Sequence, residues 1–237
     1  MKLWNGWGEE DYTYHIPQSA LNYLYGEVGE GTITTDVPKE DILRIIPQTR
    51  VRKSHLLDTN KEERLRHACG QSLPDWINLR YGTLKIFPDA VAFPDSEECV
   101  MKILQMAIKN QWQIIPYGGG SSVVGHLNII HPDVPTISVD LARMNTLLSI
   151  DTHSHIANFG AGIRGPNLES ELARFGFLLG HYPQSHEFST LGGWIASRSV
   201  GTQCYYYGRI EHLFLGGRLI SPEGIFEISF LTICIRA

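Results

Sequence analysis

Residues 114–125 read Ile-Ile-Pro-Tyr-Gly-Gly-Gly-Ser-Ser-Val-Val-Gly, and we call residues 116–125 the glycine loop. The apolar run at 112–115 predicts a buried strand that ends at Pro116, because proline has no backbone N–H to donate to a sheet. Glycine lacks a Cβ, so the glycines at 118–120 can bring successive N–H groups close to a ligand. Such N–H groups form an anion-binding concavity, to which the two following serines add hydroxyl donors. The pattern favours a phosphate or pyrophosphate site, and a flexible surface turn is the alternative.

Two common nucleotide-binding motifs do not match the glycine loop. A P-loop requires Gly-Lys-Ser or Gly-Lys-Thr, and no lysine follows these glycines. The Gly-x-Gly-x-x-Gly motif of dinucleotide-binding proteins also fails, because Val123 stands where the third glycine belongs. The sequence therefore predicts an anion site of another class.

The composition is typical of a soluble globular protein with a proper core, since 43% of the 237 residues are hydrophobic and 19% are charged. A net charge of −5 offers no basic field, so we expect no nucleic-acid partner. No apolar run approaches the roughly 18 residues of a transmembrane segment, and the N-terminus lacks the apolar core of a signal peptide. Four widely spaced cysteines without a Cys-x-x-Cys pair indicate reduced thiols and a cytoplasmic protein: Cys69, Cys99, Cys204 and Cys234.

We expect the chain to have two parts. Residues 1–80 are predicted to be a mostly helical and irregular N-terminal appendage, with helices at 17–25 and 36–46. The charged stretch at 53–66 within this appendage indicates a solvated helix face or a linker. Residues 81–237 are predicted to be the main domain.

In the main domain, a strand–helix–strand unit leads into the glycine loop. A strand at 90–93 precedes a helix that opens with a capping box of Asp95 and Glu98, and apolar residues then recur at helical spacing. After the loop the apolar residues alternate, which is typical of short strands. Together these elements predict an α+β fold. The later elements are predicted as strands at 136–140, 146–151, 155–159, 213–220 and 225–228, a turn at 221–224 that joins the last two strands, and a helix at 166–175.

A second loop rich in glycine and serine (residues 180–194) lies about 70 residues after the first. Ser189 is predicted to cap a helix over 190–199, whose N-terminus would be a natural anion site. The pair Gly192-Gly193 costs this helix about 1 kcal/mol per residue in propensity, which suggests that something approaches the backbone closely. The two loops together could hold one long ligand.

Other polar residues give weaker signals. His153 and His155 alternate on a predicted strand, but no carboxylate or cysteine accompanies them, so we predict no metal site. His181 and His186 are candidates for ligand contact or proton transfer, and the alternative is that they face solvent. Arg198 has two interpretations, a phosphate contact or a surface ion pair.

Four segments taken together resemble a known family. Pro-x-Gly-Gly-Gly-Ser-Ser at 116–122 and Gly-His-x-Pro-x-Ser-x-Glu-Phe-Ser-Thr-x-Gly-Gly-Trp-Ile at 180–195 are the main motifs. Trp-Asn-Gly-Trp-Gly at 4–8 and Tyr-Gly-Arg-Ile-Glu-His-Leu at 207–213 add to them. These segments resemble the alkyldihydroxyacetonephosphate synthase family, which belongs to the vanillyl-alcohol-oxidase/p-cresol-methylhydroxylase (PCMH) type of flavoproteins.

The resemblance implies a PCMH-type FAD-binding domain, in which two α+β subdomains clamp an extended FAD and the glycine loop holds its pyrophosphate. A Gly119→Val variant is then expected to lose FAD, because its side chain would occupy the approach to the pyrophosphate. The implied FAD contacts are Pro116, Tyr117, Gly118, Gly119, Gly120, Ser121, Ser122, Gly125, Pro183, Gln184, Ser185, His186, Glu187, Phe188, Ser189, Gly192, Ala196, Ser197, Arg198 and Ser199.

The resemblance also implies a reaction, the exchange of the acyl group of acyl-dihydroxyacetone phosphate for a long-chain fatty alcohol without net redox chemistry. Relatives with the same domain oxidise 2-hydroxy acids such as D-lactate or glycolate, and a third possibility is a non-catalytic, flavin-binding remnant that holds FAD weakly or not at all. Two departures from the family concern the second loop, where Tyr182 and Gln184 replace the usual acidic residues. Gly120 replaces a histidine that some related oxidases bond to flavin, so tethering at that position is excluded.

The family pattern stops after Ile228. Relatives continue with a last FAD-contacting segment and a cap domain, and the resemblance places the unknown catalytic residues there. The final stretch at 229–237 does not resemble the family, and a frameshifted gene, a split gene or an expression boundary would each explain it. We therefore expect no turnover from this chain alone, and we leave open a separate chain that supplies the cap and a homo-oligomer.

Overall fold

The computed structural model describes residues 3–12, 15–31 and 34–229. Within them the helices are α1 (Gln18–Val28), α2 (Lys39–Ile45), α3 (Lys61–Arg66), α4 (Leu73–Arg80), α5 (Glu97–Asn110), α6 (Gly165–Ala173), α7 (Leu191–Ser197), α8 (Cys204–Tyr207) and α9 (Ile210–Leu213). The strands are β1 (Ala90–Ala92), β2 (Gln113–Tyr117), β3 (Thr136–Asp140), β4 (Leu147–Asp151), β5 (Ile156–Phe159), β6 (Gly216–Ser221) and β7 (Gly224–Ser229).

A parallel three-stranded sheet in the order β1-β3-β2 supports the glycine loop. The strand β2 does not end at Pro116 as predicted, because Pro116 pairs with Val139 and the strand continues to Tyr117. A proline is tolerated there because β2 is an edge strand of this sheet, where one side of the backbone needs no partner. The glycine loop thus begins at the carboxyl end of a strand in a parallel sheet.

Helix α5 connects β1 to β2, and its N-terminus differs from the prediction. The capping residue is Ser96, whose hydroxyl accepts a hydrogen bond from the Cys99 amide at 3.3 Å, so the predicted capping box of Asp95 and Glu98 is wrong. The predicted apolar face is confirmed at Ile103, which packs with the sheet, and at Ala107, which is buried, whereas Ile108 at its end is 56% exposed. Burying this face is what holds the helix on the sheet.

A second group of elements follows β3. The strands β4 and β5 form an antiparallel hairpin, and helices α6 and α7 pack around the buried Trp194 with Ile163, Leu168 and Leu172. The strands β6 and β7 form another antiparallel hairpin, which confirms the turn predicted at 221–224. The strand predicted from residue 213 is wrong at its start, because Leu213 ends α9 and β6 begins at Gly216.

Helices α2, α3 and α4 share a core of their own, to which α1 contributes no buried residue. Ile42, Leu65, Leu79 and Phe87 are buried together. The charged stretch at 53–66 is not wholly solvated: Arg64 is buried, and its guanidinium donates to the carbonyls of Pro88 at 2.6 Å and Pro47 at 2.9 Å. These two bonds offset part of the cost of burying the guanidinium. The boundary between residues 80 and 81 stays a prediction.

The cysteines agree with the prediction as far as the structure describes them. Cys69, Cys99 and Cys204 are free thiols, and Cys234 lies outside the described residues, as do all but the first residue of the stretch 229–237. Among the helices of the described part, none combines the length and apolarity needed to cross a membrane.

Candidate functional site

The two loops predicted to share a ligand contact each other directly. A Cβ placed on Gly119 would overlap the Phe188 carbonyl, and a Cβ on Gly118 would overlap the Thr190 hydroxyl. The second loop therefore packs on the side of these two glycines where a side chain would stand. The assignment of their amides to FAD stays a prediction. Gly120 has a different requirement, since its φ of 66° lies in the left-handed region that favours glycine.

The glycine loop presents a run of unused donors. Among the described residues, the backbone amides of Gly120, Ser121, Ser122 and Val123 donate to no protein acceptor. The Ser122 hydroxyl accepts from the amide of His126 at 3.3 Å, which folds the end of the loop back on itself. Consecutive amides without protein partners match the oxygens of a phosphate or pyrophosphate. The residues present thus fit the anion-binding part of FAD.

The N-terminus of α7 has no such donors, so the anion site predicted there is wrong. The amide of Leu191 donates to Ile163 at 3.0 Å, and the amide of Gly192 donates to Ala161 at 2.8 Å. The amide of Gly193 donates to the hydroxyl of Thr190 at 3.3 Å. Thr190, and not Ser189, is therefore the N-cap, and the first turn of this seven-residue helix is already satisfied within the protein.

Ser189 instead holds the second loop in shape. Its hydroxyl donates to the Ser185 carbonyl at 2.8 Å and accepts from the Trp194 indole N–H at 2.6 Å. The amides of Phe188 and Ser189 also donate to the Ser185 carbonyl. Phe188 is buried, and the Trp7 ring meets it edge-on at 5.0 Å, which brings the N-terminal segment to the same place.

The two histidines of the second loop do not face solvent. His181 is only 1% exposed, and its Nε2 lies 2.8 Å from the Ser199 hydroxyl. His186 stacks on Trp194 at 6.0 Å, and its ring lies so close to Gly165 that a Cβ there would overlap it. Burial lowers the pKa of both histidines, because it disfavours the charged imidazolium. Both side chains therefore belong to the packing behind the loop.

Most of the remaining residues predicted to contact FAD from the second loop and α7 are exposed. Pro183 is buried, whereas Gln184 and Glu187 are exposed. Ala196, Ser197 and Arg198 are exposed at the C-terminal end of α7. Arg198 forms an ion pair with Glu211 at 3.2 Å, which agrees with the ion-pair interpretation of this residue. The assignment of all these residues to FAD stays a prediction.

A cavity of about 320 Å³ beside the glycine loop contains residues that sequence reasoning missed. Asp140 is one that could have been found, because it ends β3 at the carboxyl edge of a parallel sheet, where ligands commonly bind. No local pattern marks the others, which come from distant parts of the chain. The missed lining residues include Arg66, His67, Gly70, Gln71, Asp140 and Arg164.

His67 and Asp140 form a buried hydrogen-bonded pair in the wall of this cavity. Nε2 of His67 lies 3.0 Å from Oδ2 of Asp140, and Nδ1 lies 2.7 Å from the carbonyl of Glu63. The other carboxylate oxygen accepts from the amide of Ala142 at 2.8 Å. The ring of Tyr117 lies against the imidazole at 4.3 Å, and burial raises the pKa of the Tyr117 hydroxyl well above its ordinary value.

His153 and His155 do not alternate on a strand as predicted. They lie in the turn between β4 and β5, where the amide of His153 donates to Asp151 and His155 adopts a positive φ of 55°. Both are exposed, and in the part of the chain that the structure describes no cluster of residues could hold a metal ion.

Comparisons with known proteins agree with this geometry. The family described as FAD binding domain matches residues 88–229. The alkyldihydroxyacetonephosphate synthase of Trypanosoma brucei brucei is 32% identical over 94% of this chain and 42% of its own length. The cytochrome-type D-lactate dehydrogenase 1 of Saccharomyces cerevisiae mitochondria is 30% identical over 63% of this chain and 25% of its own length.

The fold is also found in solved structures. A structure of alkyldihydroxyacetonephosphate synthase superposes with a TM-score of 0.84 at 32% identity, over 96% of this chain and 48% of that one. The predicted PCMH-type α+β fold is thereby confirmed, as is FAD as the cofactor. The present chain spans less than half the length of these synthases. The chain belongs to the FAD binding domain family, and over nearly all its length it is homologous to alkyldihydroxyacetonephosphate synthases.

Proposed function

We propose that this chain binds FAD as part of an alkyldihydroxyacetonephosphate-synthase-like flavoenzyme and holds the FAD pyrophosphate on the glycine loop. The observation that carries the proposal is the run of four amides at 120–123 that donate to no acceptor within the described residues. Backbone amides without a partner are costly unless a ligand or water accepts from them. The oxygens of a pyrophosphate supply several acceptors at once, and the family match supports FAD as their source.

The residues around the glycine loop act by positioning. Phe188 and Thr190 press against Gly118 and Gly119, so the second loop fixes the path of the first. Asp140 holds the chain after β3 through the Ala142 amide. Bound FAD supplies an electrophilic and redox-active ring system, and the task of this part of the protein is to bind and orient it.

For the protein as a whole we propose the transfer reaction that the resemblance implies. The acyl group of acyl-dihydroxyacetone phosphate leaves as a fatty acid, and a long-chain fatty alcohol forms an ether bond in its place. This would make the protein a transferase of ether-lipid synthesis, for which we retain the predicted cytoplasmic location. The likeness to synthases over 94% of this chain supports the proposal. No described residue is assigned a catalytic role.

The visible absorption spectrum of the purified chain tests FAD binding. The protein is incubated with FAD, desalted and scanned, with the same protein unfolded in urea as the control. We expect a flavin band that stays with the folded protein and leaves the unfolded one. A folded protein without a flavin band would contradict the proposal and would support a remnant that has lost its cofactor.

A second candidate is the oxidation of a 2-hydroxy acid, which the likeness to a D-lactate dehydrogenase supports. The FAD-loaded chain is assayed with acyl-dihydroxyacetone phosphate plus a fatty alcohol, and separately with D-lactate plus an electron acceptor. Ether-lipid product identifies the transferase, whereas D-lactate-dependent reduction of the electron acceptor identifies the oxidoreductase. We expect turnover in neither assay from this chain alone; D-lactate-dependent reduction of the acceptor would overturn the first candidate.

A further inference from the structure

Residues 66–71 run alongside the glycine loop, although they lie outside the matched range 88–229. The Gln71 amide donates to the carbonyl of Ser122 at 2.7 Å. At the other end of the loop, the Tyr117 hydroxyl donates to the carbonyl of Arg66 at 3.2 Å. The segment is therefore bonded to Ser122 within the run of unpaired amides and to Tyr117, which precedes the glycines.

Gly70 is in close contact with the glycine loop. A Cβ at this position would overlap the Ser122 carbonyl oxygen and lie 3.3 Å from its carbon. The φ of Gly70 is not among the positive values, so the glycine is required by the contact and not by its own backbone. Any larger residue must displace the backbone of Ser122. The amides of Ser122 and Val123, which belong to the proposed pyrophosphate site, would move with it.

His67 joins the same segment to the sheet under the loop. Because the Glu63 carbonyl can only accept, Nδ1 of His67 donates to it, and Nε2 of the same ring lies 3.0 Å from Oδ2 of Asp140. The pair is buried, and the imidazole packs against Tyr117, the residue that precedes the first glycine. His67 thus contacts the last residue of β2, Tyr117, and the last residue of β3, Asp140.

We propose that residues 66–71 position the glycine loop for FAD, with Gly70 and His67 as positioning residues. The inference rests on the proposed function, because it takes the glycine loop to be the pyrophosphate site. It extends the cofactor site to a segment of the N-terminal region. The cavity beside the loop is then lined on one side by residues 66–71 and on another by the glycine loop. Neither residue need touch the cofactor.

A matched pair of glycine variants tests the role of Gly70. Gly70→Ala should weaken FAD binding by about tenfold or more, because displacing Ser122 loses at least one hydrogen bond to the ligand. Gly26→Ala in α1 is the control, since nothing lies within 4 Å of its Cβ, and its affinity should equal that of the wild type. Affinity is measured by titrating flavin-free protein with FAD and following flavin fluorescence, with circular dichroism to confirm folding.

A second pair of variants keeps the inference testable if Gly70→Ala does not fold. His67→Gln retains a nitrogen donor at the position of Nε2 and should keep most of the FAD affinity and the shape of the bound flavin band. His67→Leu removes that donor from Asp140 and should weaken binding and alter the band. Equal affinities for the two folded variants would overturn the role of His67 by showing that the bond to Asp140 does not matter.

The experiments distinguish a failure of the proposed FAD binding from a failure of the positioning role of residues 66–71. If the wild-type chain retains no FAD, the proposed function fails. If the wild type retains FAD and folded Gly70→Ala binds it equally well, the positioning role of residues 66–71 is wrong while the proposed function stands.

Discussion

Gly119 lies where the two loops meet, and its missing side chain makes that contact possible. In a Gly119→Ala variant the new Cβ would overlap the Phe188 carbonyl and lie 2.9 Å from the Ser189 Cα. The loops would have to separate, and we expect the free energy of unfolding to fall by about 1–3 kcal/mol, as for other overpacked sites. Urea unfolding of the flavin-free protein measures this loss.

The control for that experiment is Gly26→Ala, which should not destabilise the protein because its Cβ meets nothing within 4 Å. Equal stability of Gly119→Ala and wild type would show that the loops are not in contact. The sequence predicts that a side chain at this position removes FAD binding. The structure predicts in addition that the flavin-free protein is destabilised.

The buried histidines of the second loop predict a stability that depends on pH. The pKa of His181 is lowered by burial and then by the neighbouring His186, whereas in the unfolded chain it returns to about 6.5. Below about pH 6.5 the unfolded state therefore binds more protons than the folded state, and stability falls as the pH decreases towards the folded pKa. Urea unfolding midpoints at about pH 7.5 and about pH 5.5 measure the difference.

His181→Gln provides the comparison for the pH experiment. Its amide nitrogen can keep the bond to Ser199 but does not titrate, so the difference between the two pH values should become smaller. An unchanged difference would mean that other groups cause the pH dependence.

At the scale of elements, α7 depends on its N-cap because its seven residues include two consecutive glycines. Thr190→Ala removes the hydroxyl that accepts from the Gly193 amide and should cost about 1 kcal/mol of stability. Thr190→Ser keeps the hydroxyl and is the matched control. Thermal or urea unfolding measures both variants, and equal losses in the two would show that the methyl group, and not the cap, matters.

At the scale of the whole molecule, FAD binding should raise the free energy of unfolding, because FAD binds the folded chain and not the unfolded one. At a free FAD concentration of about 100 times the Kd, we expect a gain of about 2.7 kcal/mol in the free energy of unfolding. Because binding depends on mass action, the midpoint should rise steadily with FAD concentration, and riboflavin, which has no pyrophosphate, should raise it less. Equal effects of the two ligands would place the pyrophosphate elsewhere.

Several features of the fold could be predicted from local patterns alone. The hairpin turn at 221–224 depends on residues close in sequence and is confirmed, as is most of the apolar spacing of α5. The N-cap of α5 was missed because Asp95 and Ser96 are both good caps, and only the backbone path selects the serine. The end of β2 was missed because a proline is acceptable on an edge strand, and strand order is not a local property.

In the candidate site, too, some features follow from local sequence and others depend on the tertiary structure. The sequence by itself determined that residues 118–122 suit an anion, because three glycines and two serines after a strand are a local arrangement of donors. Only the tertiary structure decided which donors are available: distant carbonyls occupy the amides of α7, whereas those at 120–123 have no acceptor in the described part of the chain. It also brought His67 to Asp140 across 73 positions. A hydrogen bond depends on distance and angle, and no local pattern specifies these for groups that meet only when the chain folds.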